Sequence, residues 1–300
     1  MDHDAGHVPV MLEEVIEHLS PHPGQVVLDG TAGGGGHAAE ILRRLEPDGC
    51  LLLLDRDRET LERLRARLGR RGNARFFHAN YCDFDQALDQ AGYRTVDGAL
   101  LDLGVSSLQL AEAERGFSFD RPGPLDMRFD RTDALTAEAV INTWPAERLA
   151  QALREYGDQP FANRIARAIV AARPLRRTDA LAEVVASAVP ARWRRQQTIH
   201  PATRVFQAVR IAVNDEFGSL ETFLDKIFGS VSPGGRVVIL SFHSGEDRIV
   251  KHRFRAAAAA GVVCLPVAKP VRPTPVEVQA NPRARSARLR VAQRLPTAGS

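Results

Sequence analysis

The sequence predicts an α/β protein in which a doubly wound, mostly parallel sheet is interrupted by an inserted helical domain. Two observations lead to this fold class. Apolar strand-like runs alternate with helical patterns from residue 25 to residue 103, which is the order found in βαβ units. The alternation then stops for about a hundred residues, whereas a strand and the next helix are usually joined by about 2–6 residues. We therefore predict a sheet domain from residues 1–108 and 206–300 and a helical domain from residues 109–205.

The elements of the sheet domain follow from their residue patterns. Apolar and β-branched runs predict strands at Val26–Asp29, Cys50–Asp55, Ala74–His78 and Val96–Leu103, the last with Asp102 at its end. The second of these runs is continuously apolar, which indicates a strand that is buried on both faces. Helical periodicity predicts helices at Gly36–Leu45 and Glu59–Leu68.

The second half of the sheet domain is expected to resume after the insertion. We predict a helical stretch at Phe206–Phe228, a turn at Pro233-Gly234-Gly235, a fifth strand at Arg236–Ser241 and further strand-like alternation in Asn281–Arg294.

Four periodic segments predict the helices of the inserted domain: Ala137–Asn142, Pro145–Tyr156, Phe161–Ala172 and Thr178–Ala188. Thr136 and Thr178 stand where a hydroxyl side chain commonly caps a helix N-terminus, so they support the first and last of these helices.

Composition places the 300-residue chain among ordinary globular proteins, with 44% hydrophobic and 26% charged residues. The longest apolar run, Ala256–Ala268, is too short for a membrane span, and Met1–Asp4 lacks the layout of a signal peptide. We therefore expect a cytoplasmic location with no membrane partner, and no particular oligomeric state is indicated. Cys50, Cys82 and Cys264 stand far apart, which argues against a zinc site and against a disulfide framework.

Arginine is concentrated in one part of the chain. Only Lys226, Lys251 and Lys269 are lysines among the 40 Lys and Arg residues. Residues 161–210 contain ten arginines against two acidic residues, a local net charge of +8 where the whole chain carries +3. A GC-rich genome, which favours arginine codons everywhere, is an alternative explanation of the total. The local concentration instead favours binding of a polyanion such as RNA.

A glycine-rich run, Asp29-Gly30-Thr31-Ala32-Gly33-Gly34-Gly35-Gly36-His37, joins the first predicted strand to the first helix. Glycines let the backbone turn tightly and approach a ligand, toward which the following helix aims its free N–H groups. The run does not fit the dinucleotide pattern G-x-G-x-x-G, because Ala32 and Ala38 interrupt it. Its D-x-T-x-G-x-G form suits a nucleoside without a pyrophosphate, and we favour S-adenosylmethionine.

Two more acidic residues end predicted strands at the edge where open α/β sheets bind ligands. Asp55 lies about 20 residues beyond the glycines, the spacing at which an acid binds ribose hydroxyls in nucleoside-binding sheets. Asp102 ends the fourth strand, where a carboxylate can accept hydrogen bonds from an amino group of a base. An aspartate after a strand is often only a helix cap. Three strand ends in the expected order favour a nucleoside cofactor.

Several stretches in a fixed order over nearly the whole chain carry a resemblance to a known family. They are His7-Val8-Pro9-Val10, Asp29–His37, Asp55-Arg56-Asp57, Asp102–Ser107, Glu114–Phe119, Pro124–Arg128, Phe206–Asn214, Ser241-Phe242-His243-Ser244 and Asn281–Ser286. Together they resemble the RsmH/MraW family of bacterial enzymes. The resemblance implies a Rossmann-like class I methyltransferase that uses S-adenosylmethionine to methylate the exocyclic N4 of a cytidine in the decoding region of 16S rRNA. It also makes the small ribosomal subunit the expected partner.

The resemblance also implies which residues contact the cofactor: Gly33, Gly35, Gly36 and His37 in the glycine run, Asp55 at the ribose, Tyr81 beside the adenine, and Asp102 and Gln109 nearer the reacting end. The chain departs from the family pattern at a few positions. Gly34 replaces a common Arg, Leu108 a usual Pro, Tyr81 a frequent Phe and Gly245 a usual Leu. Gly245 raises the expectation of a looser segment beside Ser241–Ser244.

For the reaction itself, Asp102 is the candidate acceptor of an N4 hydrogen, although a purely cofactor-binding role or an acceptor carbonyl near Gly104 remains an alternative. Ser241, Phe242 and His243 are further candidates at the catalytic site, with His243 as a hydrogen-bonding loop residue. Phe242, Phe117 and Phe119 are candidates to stack on a splayed-out base, or else core residues. Phosphate contacts are expected from Arg164, Arg167, Arg192, Arg194, Arg195 and Arg204.

Three other functions are considered. A nicotinamide-dependent dehydrogenase is disfavoured because Thr31 and Ala32 stand where the pyrophosphate loop needs glycine. A non-catalytic RNA-binding protein would not need the full set of cofactor residues. A DNA amino-methyltransferase is disfavoured because Asp102-Leu103-Gly104-Val105 does not match the Pro-Pro-aromatic segment of those enzymes.

Overall fold

The computed structural model describes residues 9–196 and 199–296. Two compact units divide the chain: one contains the residues up to Gly104 and those from Phe217 onward, and the other is Val105–Glu216. His7 and Val8, which begin the first family stretch, lie outside the described residues.

The first unit contains a seven-stranded sheet in the order β3-β2-β1-β4-β5-β7-β6. The strands are β1 (Val26–Asp29), β2 (Cys50–Asp55), β3 (Ala74–His78), β4 (Val96–Asp102), β5 (Val231–Ser241), β6 (Val263–Cys264) and β7 (Arg288–Arg294). β1 to β5 pair in parallel, and β7 pairs antiparallel with both β5 and β6. The predicted doubly wound, mostly parallel sheet is confirmed. Its strand order reverses between β1 and β4, the switch point at which open sheets bind ligands.

The helices of the first unit are α1 (Leu12–Leu19), α2 (Gly36–Leu45), α3 (Arg58–Leu68), α4 (Phe84–Ala91), α12 (Glu216–Lys226), α13 (Ser244–Ala259) and α14 (Pro275–Ala280). Those of the second are α5 (Ser107–Ala111), α6 (Ala137–Thr143), α7 (Ala146–Glu155), α8 (Ala162–Ala171), α9 (Thr178–Ala188), α10 (Ala191–Arg194) and α11 (Pro201–Asn214). Among the described residues, none of these helices is long and apolar enough to span a membrane.

Both faces of the sheet are covered by apolar side chains. Along β2, Leu52 and Leu54 belong to one core and Leu51 and Leu53 to the core on the opposite face. Successive strand residues point to opposite faces, so the continuous apolar run is the pattern of a strand buried on both sides. This confirms the interpretation of the run in the sequence.

The second unit has a core of its own, formed by α6 to α9 and α11 with the segment that precedes them. Val205, Phe206 and Val209 of α11 are buried in that core. The division predicted after residue 205 therefore falls inside α11, because this helix packs on the helices before it.

One capping prediction is confirmed and the other is wrong. The Thr136 side chain accepts from the Ala139 N–H and caps α6. Thr178 is instead the first residue of α9, which follows Arg177. Its hydroxyl oxygen is buried and accepts from the Gly123 N–H at 3.0 Å, so it holds the preceding loop instead of capping the helix.

Two boundaries in the second half of the chain differ from the sequence prediction. The helical stretch at 206–228 is broken at Asp215, whose φ of 47° is left-handed and ends α11. The predicted turn at Pro233–Gly235 is wrong, because β5 continues through it. Both flanks pair with β4, at Val231 and again at Arg236, so the extra residues form a bulge and the chain does not reverse.

Candidate active site

The glycine loop, residues 29–37, is anchored between two strands at the carboxyl end of the sheet. The Gly30 N–H donates to the Leu100 carbonyl of β4 at 3.0 Å, and the Ala32 N–H donates to the Leu54 carbonyl of β2 at 2.9 Å. Hydrogen bonds to both neighbours of β1 hold the loop at the switch point of the strand order.

Two glycines of this loop are required by close contacts. Gly35 has a φ of +72°, and a Cβ there would overlap the Leu64 side chain. A Cβ on Gly36 would lie 2.9 Å from carbons of the Pro9 ring. Gly35 is also the N-cap of α2, and it has no side chain to cap the helix. The first N–H groups of α2 are thereby left to a ligand.

Asp55 ties the glycine loop to the end of β2. Its Oδ2 accepts from the Gly33 N–H and its Oδ1 from the Asp57 N–H, both at 2.8 Å. Each carboxylate oxygen has a further lone pair, so these two bonds leave acceptor capacity for a ribose hydroxyl.

Asp29 and Asp102 are connected through Thr31. Asp29, which is 1% exposed, accepts from the Thr31 N–H at 3.1 Å. The Thr31 hydroxyl oxygen accepts from the Asp102 N–H at 2.6 Å. The Asp102 side chain is 28% exposed, and its Oδ1 is a buried atom with no hydrogen-bond partner among the described residues. One oxygen of this carboxylate is thus available to a bound molecule.

His37 lies between the N-terminal segment and Asp102. Its Nε2 is 3.0 Å from the Val10 carbonyl oxygen, which can only accept, so Nε2 carries a proton. Its Nδ1 is 3.6 Å from Asp102 Oδ2. The ring is 6% exposed and is therefore fixed in one orientation toward the carboxylate.

Burial makes these carboxyls unusually weak acids. It raises the pKa of Asp29 and of Asp102 to about 7 and that of Asp55 to about 6. Glu246 raises the pKa of Asp102 further, whereas His37 and the Thr31 N–H partly offset the burial of Asp29. Burial lowers the pKa of His37. Several carboxyls share this edge of the sheet, which is therefore suited to a cationic ligand.

Replacing Asp29 by asparagine is expected to stabilise the cofactor-free protein, increasingly so from pH 4 to pH 7. Because the pKa is raised from 3.8 to about 7 on folding, the folded chain binds more protons than the unfolded chain in this window and loses stability as the pH rises. Asparagine keeps an acceptor for the Thr31 N–H and cannot ionise. We expect a gain of about 1–3 kcal/mol at pH 8 in urea unfolding. A gain that shrinks as the pH rises would contradict this account of Asp29.

The segment Ser241–Glu246 is fixed by bonds to its neighbours. Ser241 is buried and its hydroxyl donates to the Arg288 carbonyl at 3.3 Å. Glu246 accepts from the Phe242 N–H at 2.9 Å and forms a capping box with His243 at the start of α13. Ser241 and His243 thus have structural tasks, and the half-buried Phe242 is left as the candidate for contact with a base.

Gly245 leaves room for the Phe217 ring beside this segment. A Cβ at this position would lie 2.5 Å from the Phe217 ring and 3.2 Å from His243 Nδ1. The glycine therefore allows Phe217 to pack against the segment, and the expected loosening of the loop stays a prediction.

The two remaining cofactor candidates lie in different units. Tyr81 follows β3 in the first unit, and a Cβ on Gly30 would lie 2.9 Å from its Cβ, so the residue borders the glycine loop. Gln109 lies in the second unit, where it and Ser106 form a capping box at the start of α5. The structure thus brings Tyr81 to the glycine loop and gives Gln109 a local role.

The aromatic candidates of the second unit pack in its core. Phe117 is buried and stacks on Phe129 at 5.5 Å between ring centroids, and Phe119 contacts Phe206 at 5.0 Å. These contacts favour the core interpretation for both Phe117 and Phe119.

The six arginines predicted to bind RNA all lie in the second unit: Arg164, Arg167, Arg192, Arg194, Arg195 and Arg204. The first five are exposed, and Arg204 is half-buried and donates to the Asp158 carbonyl at 2.8 Å. Two other arginines of the basic segment have structural roles. Arg173 donates to two backbone carbonyls, and Arg210 pairs with Glu216 through two hydrogen bonds. The exposed set is therefore the part that can meet phosphates.

Sequence reasoning missed two residues of the site. Thr31 has no predicted contact of its own in the sequence analysis, although a D-x-T pattern predicts a hydroxyl beside the strand end. Glu246 stands three residues after His243, which is the spacing of a capping box, and this signal could have identified it.

These residues fit S-adenosylmethionine, whose sulfonium and ammonium groups are cations. The fit rests on Asp102 Oδ1, which has no partner in the part of the chain that the structure describes, on the buried carboxyls near it and on the open N–H groups of α2. Asp29, Asp55 and Asp102 have no Lys or Arg ion-pair partner in the described part of the chain, which favours a cationic ligand. No group of three or more His, Cys, Asp or Glu residues in this part is arranged to hold a metal ion.

The chain matches the MraW methylase family over residues 4–295. The chain belongs to the MraW methylase family. This MraW methylase is 50% identical, over 310 aligned residues, to the ribosomal RNA small subunit methyltransferase H of Nitratidesulfovibrio vulgaris strain Miyazaki F, with 96% of this chain and 86% of that protein covered. A protein of the same name from Symbiobacterium thermophilum is 46% identical, with 96% of both chains covered.

The family confirms the resemblance found in the sequence. This MraW methylase is an S-adenosylmethionine-dependent methyltransferase. The dehydrogenase and the non-catalytic RNA-binding protein are therefore excluded as alternatives. Among solved structures, an rRNA methylase from Streptococcus thermophilus is 11% identical with a TM-score of 0.44, and the match covers 95% of this chain and 94% of that one.

Proposed function

We propose that this MraW methylase transfers a methyl group to the exocyclic N4 of a cytidine in the decoding region of 16S rRNA. The names of its relatives support small-subunit ribosomal RNA as the substrate. The observation that carries the chemical part of the proposal is the Asp102 carboxylate, which stands beside the glycine loop and whose Oδ1 has no hydrogen-bond partner among the described residues.

The cofactor is held by the glycine loop and its neighbours. The N–H groups at the start of α2, Asp55 and Tyr81 would bind it, and Gly33, Gly35 and Gly36 let the backbone approach it. When bound, S-adenosylmethionine would supply a methyl group on a sulfonium sulfur, to be transferred in a single in-line displacement with the neutral thioether as the leaving group. Alignment of the acceptor nitrogen with that methyl group therefore supplies much of the rate.

Asp102 would take the proton that N4 must lose. The lone pair of a cytosine amino group is delocalised into the ring, so an acceptor for one N4 hydrogen makes the nitrogen a better nucleophile. As the carbon–nitrogen bond forms, the carbon–sulfur bond breaks and its electron pair stays on sulfur. The extra proton on N4 then passes to Asp102. Oδ1 can accept it because no group in the described part of the chain occupies this oxygen.

Phe242 is the aromatic residue of the first unit best placed to contact the base. It follows β5 directly, is half-buried, and its ring lies 3.9 Å from the position that a Cβ on Gly104 would take. Gly104 lies two residues after Asp102, the last residue of β4. We infer that a splayed-out cytosine stacks on this ring while N4 faces Asp102.

The arginines of the second unit would bind the RNA backbone. Replacing Arg192, Arg194 and Arg195 together by glutamine is expected to weaken RNA binding about 10- to 100-fold at low salt and to reduce the salt dependence of log K by about 1 per lost phosphate contact. The measurement is a filter-binding titration with 16S rRNA at several salt concentrations.

The matched control for this triple variant is Arg43→Gln with Arg44→Gln, which removes two exposed arginines of the first unit that pair with Glu40. The control should leave the salt dependence near that of the unchanged protein. An equal loss in both variants would mean that overall charge, and not this surface, binds the RNA.

The substrate is tested by methyl incorporation. The protein is incubated with labelled S-adenosylmethionine and, separately, with small subunits, large subunits and free 16S rRNA prepared from a strain that lacks the enzyme. Label in small-subunit RNA alone is the expected result. Label in large-subunit RNA, or in none of the three, would overturn the proposal.

A further inference from the structure

The contacts of the His37 ring determine which of its two nitrogens carries a proton. The Val10 carbonyl requires a proton on Nε2, so Nδ1 is the only ring nitrogen that can gain or lose one. Nδ1 faces Asp102 Oδ2 at 3.6 Å, within ion-pair distance. If neither group carried this proton, the Nδ1 lone pair of the buried His37 ring would face a negatively charged Asp102 carboxylate, which is unfavourable.

The surroundings make a fully deprotonated pair still less favourable. The pKa of His37 is influenced by the charges of Asp29 on β1 and Glu277 on α14, and that of Asp102 by Glu246 on α13. Asp55 on β2 influences the pKa of the neighbouring Asp29. All four are acids. Glu277 also holds the N-terminal segment in place, since its Oε1 accepts from the Met11 N–H at 2.6 Å.

We propose that the Asp102–His37 pair holds one proton in the cofactor-free protein, on one group or the other, and releases it to solvent when the sulfonium cofactor binds. Asp102 is then a free carboxylate, able to accept the N4 proton, only after the cofactor is in place. His37 acts through Asp102 and is a positioning residue. The raised pKa of Asp102, about 7, is consistent with a group that is partly protonated at neutral pH.

This inference rests on the cofactor site of the proposed function and not on its RNA substrate. It implies an order of events, because a base that arrives before the cofactor meets a protonated Asp102. It also predicts that the positive charge on sulfur matters. S-adenosylhomocysteine has the same ammonium and carboxylate but a neutral sulfur, so it should displace less of the proton.

The test is calorimetric titration of the full-length protein, without RNA, at pH 7 in phosphate and in Tris, whose ionisation enthalpies differ. The buffer dependence of the heat gives the number of protons released. We expect about half a proton or more per S-adenosylmethionine, because a group with a pKa near 7 is half protonated at pH 7. S-adenosylhomocysteine should release less than about half of that amount. Equal release with both ligands would overturn the proposal.

Two variants test whether the released proton comes from Asp102. Asp102→Asn should remove at least half of the release, whereas Asp97→Asn should leave it unchanged. Asp97 is the matched control because it lies near the opposite end of β4 and accepts from the Val26 N–H, a bond that asparagine can keep. Release from Asp102→Asn equal to that of the unchanged protein would contradict the assignment.

Nitrogen NMR of histidine-labelled protein tests His37 directly, with its signals assigned by their loss in His37→Gln. We expect the Nδ1 signal to move toward that of an unprotonated ring nitrogen when S-adenosylmethionine is added, with Nε2 remaining protonated. An Nδ1 signal that does not change on cofactor binding would exclude His37 as a holder of that proton. Because no RNA is present, failure of methyl transfer to N4 would leave this result intact, whereas failure to bind the cofactor would count against both proposals.

Discussion

Replacing Asp102 by asparagine is expected to reduce the single-turnover rate of methyl transfer by about 10²- to 10⁴-fold, the range in which a positioned proton acceptor contributes. The variant keeps the shape of the side chain and the Asp102 N–H bond to the Thr31 hydroxyl. It cannot take a proton from N4. The rate is measured at saturating cofactor, and the cofactor Kd is measured separately by calorimetry.

The affinity measurement separates the two roles considered for Asp102. A proton acceptor predicts a lost rate with a cofactor Kd within about tenfold of the unchanged protein, and Asp97→Asn serves as the control. A pure cofactor ligand predicts the opposite, a large rise in Kd with the rate restored at saturation. The second pattern would remove the acceptor role from the proposed mechanism.

Replacing Gly35 by alanine is expected to weaken cofactor binding, with a Kd at least about 30-fold higher, or about 2 kcal/mol. The new Cβ would overlap Leu64, and the φ of +72° would itself be strained for alanine. Because Gly35 caps α2, any shift moves the N–H groups that face the cofactor. Calorimetry with S-adenosylhomocysteine measures the loss.

The chain offers a close control for this substitution. Gly92 has a φ of +79° at the end of α4, but a Cβ there meets nothing within 4 Å. Gly92→Ala therefore carries the backbone strain alone, which costs about 1–2 kcal/mol of stability, and should bind the cofactor normally. Equal affinities for the two variants would show that the contact at Gly35 does not shape the cofactor site.

The first half of the sheet was predictable because its signals are local. β1, α2 and β2 lie where the sequence placed them, since a continuous run such as Cys50–Asp55 has few alternatives to a buried strand. The second half depends on pairing between distant segments. Whether Pro233–Gly235 forms a turn or a bulge is decided by the pairing of both flanks with β4, and the position of β7 between β5 and β6 has no local signal.

The candidate site divides in the same way. The glycine loop, Asp55 and Asp102 stand at strand ends, so topology alone predicts that they share one edge. The hydrogen bond from Asp102 to Thr31 and the approach of His37 to Asp102 were not predictable, because they depend on how the loop folds back across β4. The capping prediction at Thr178 was wrong for a similar reason, because its hydroxyl oxygen accepts a hydrogen bond from Gly123 in a distant loop.

The most direct test of the account is the position of the transferred methyl group. Small-subunit RNA is methylated by the purified protein with a deuterated methyl donor, digested to nucleosides and fragments, and analysed by mass spectrometry against synthetic standards. We expect the deuterated methyl on N4 of a single cytidine in the decoding region, and no deuterated methyl there in reactions with Asp102→Asn. A methyl group on a ring carbon, on a ribose hydroxyl or on another base would contradict the proposed role of Asp102.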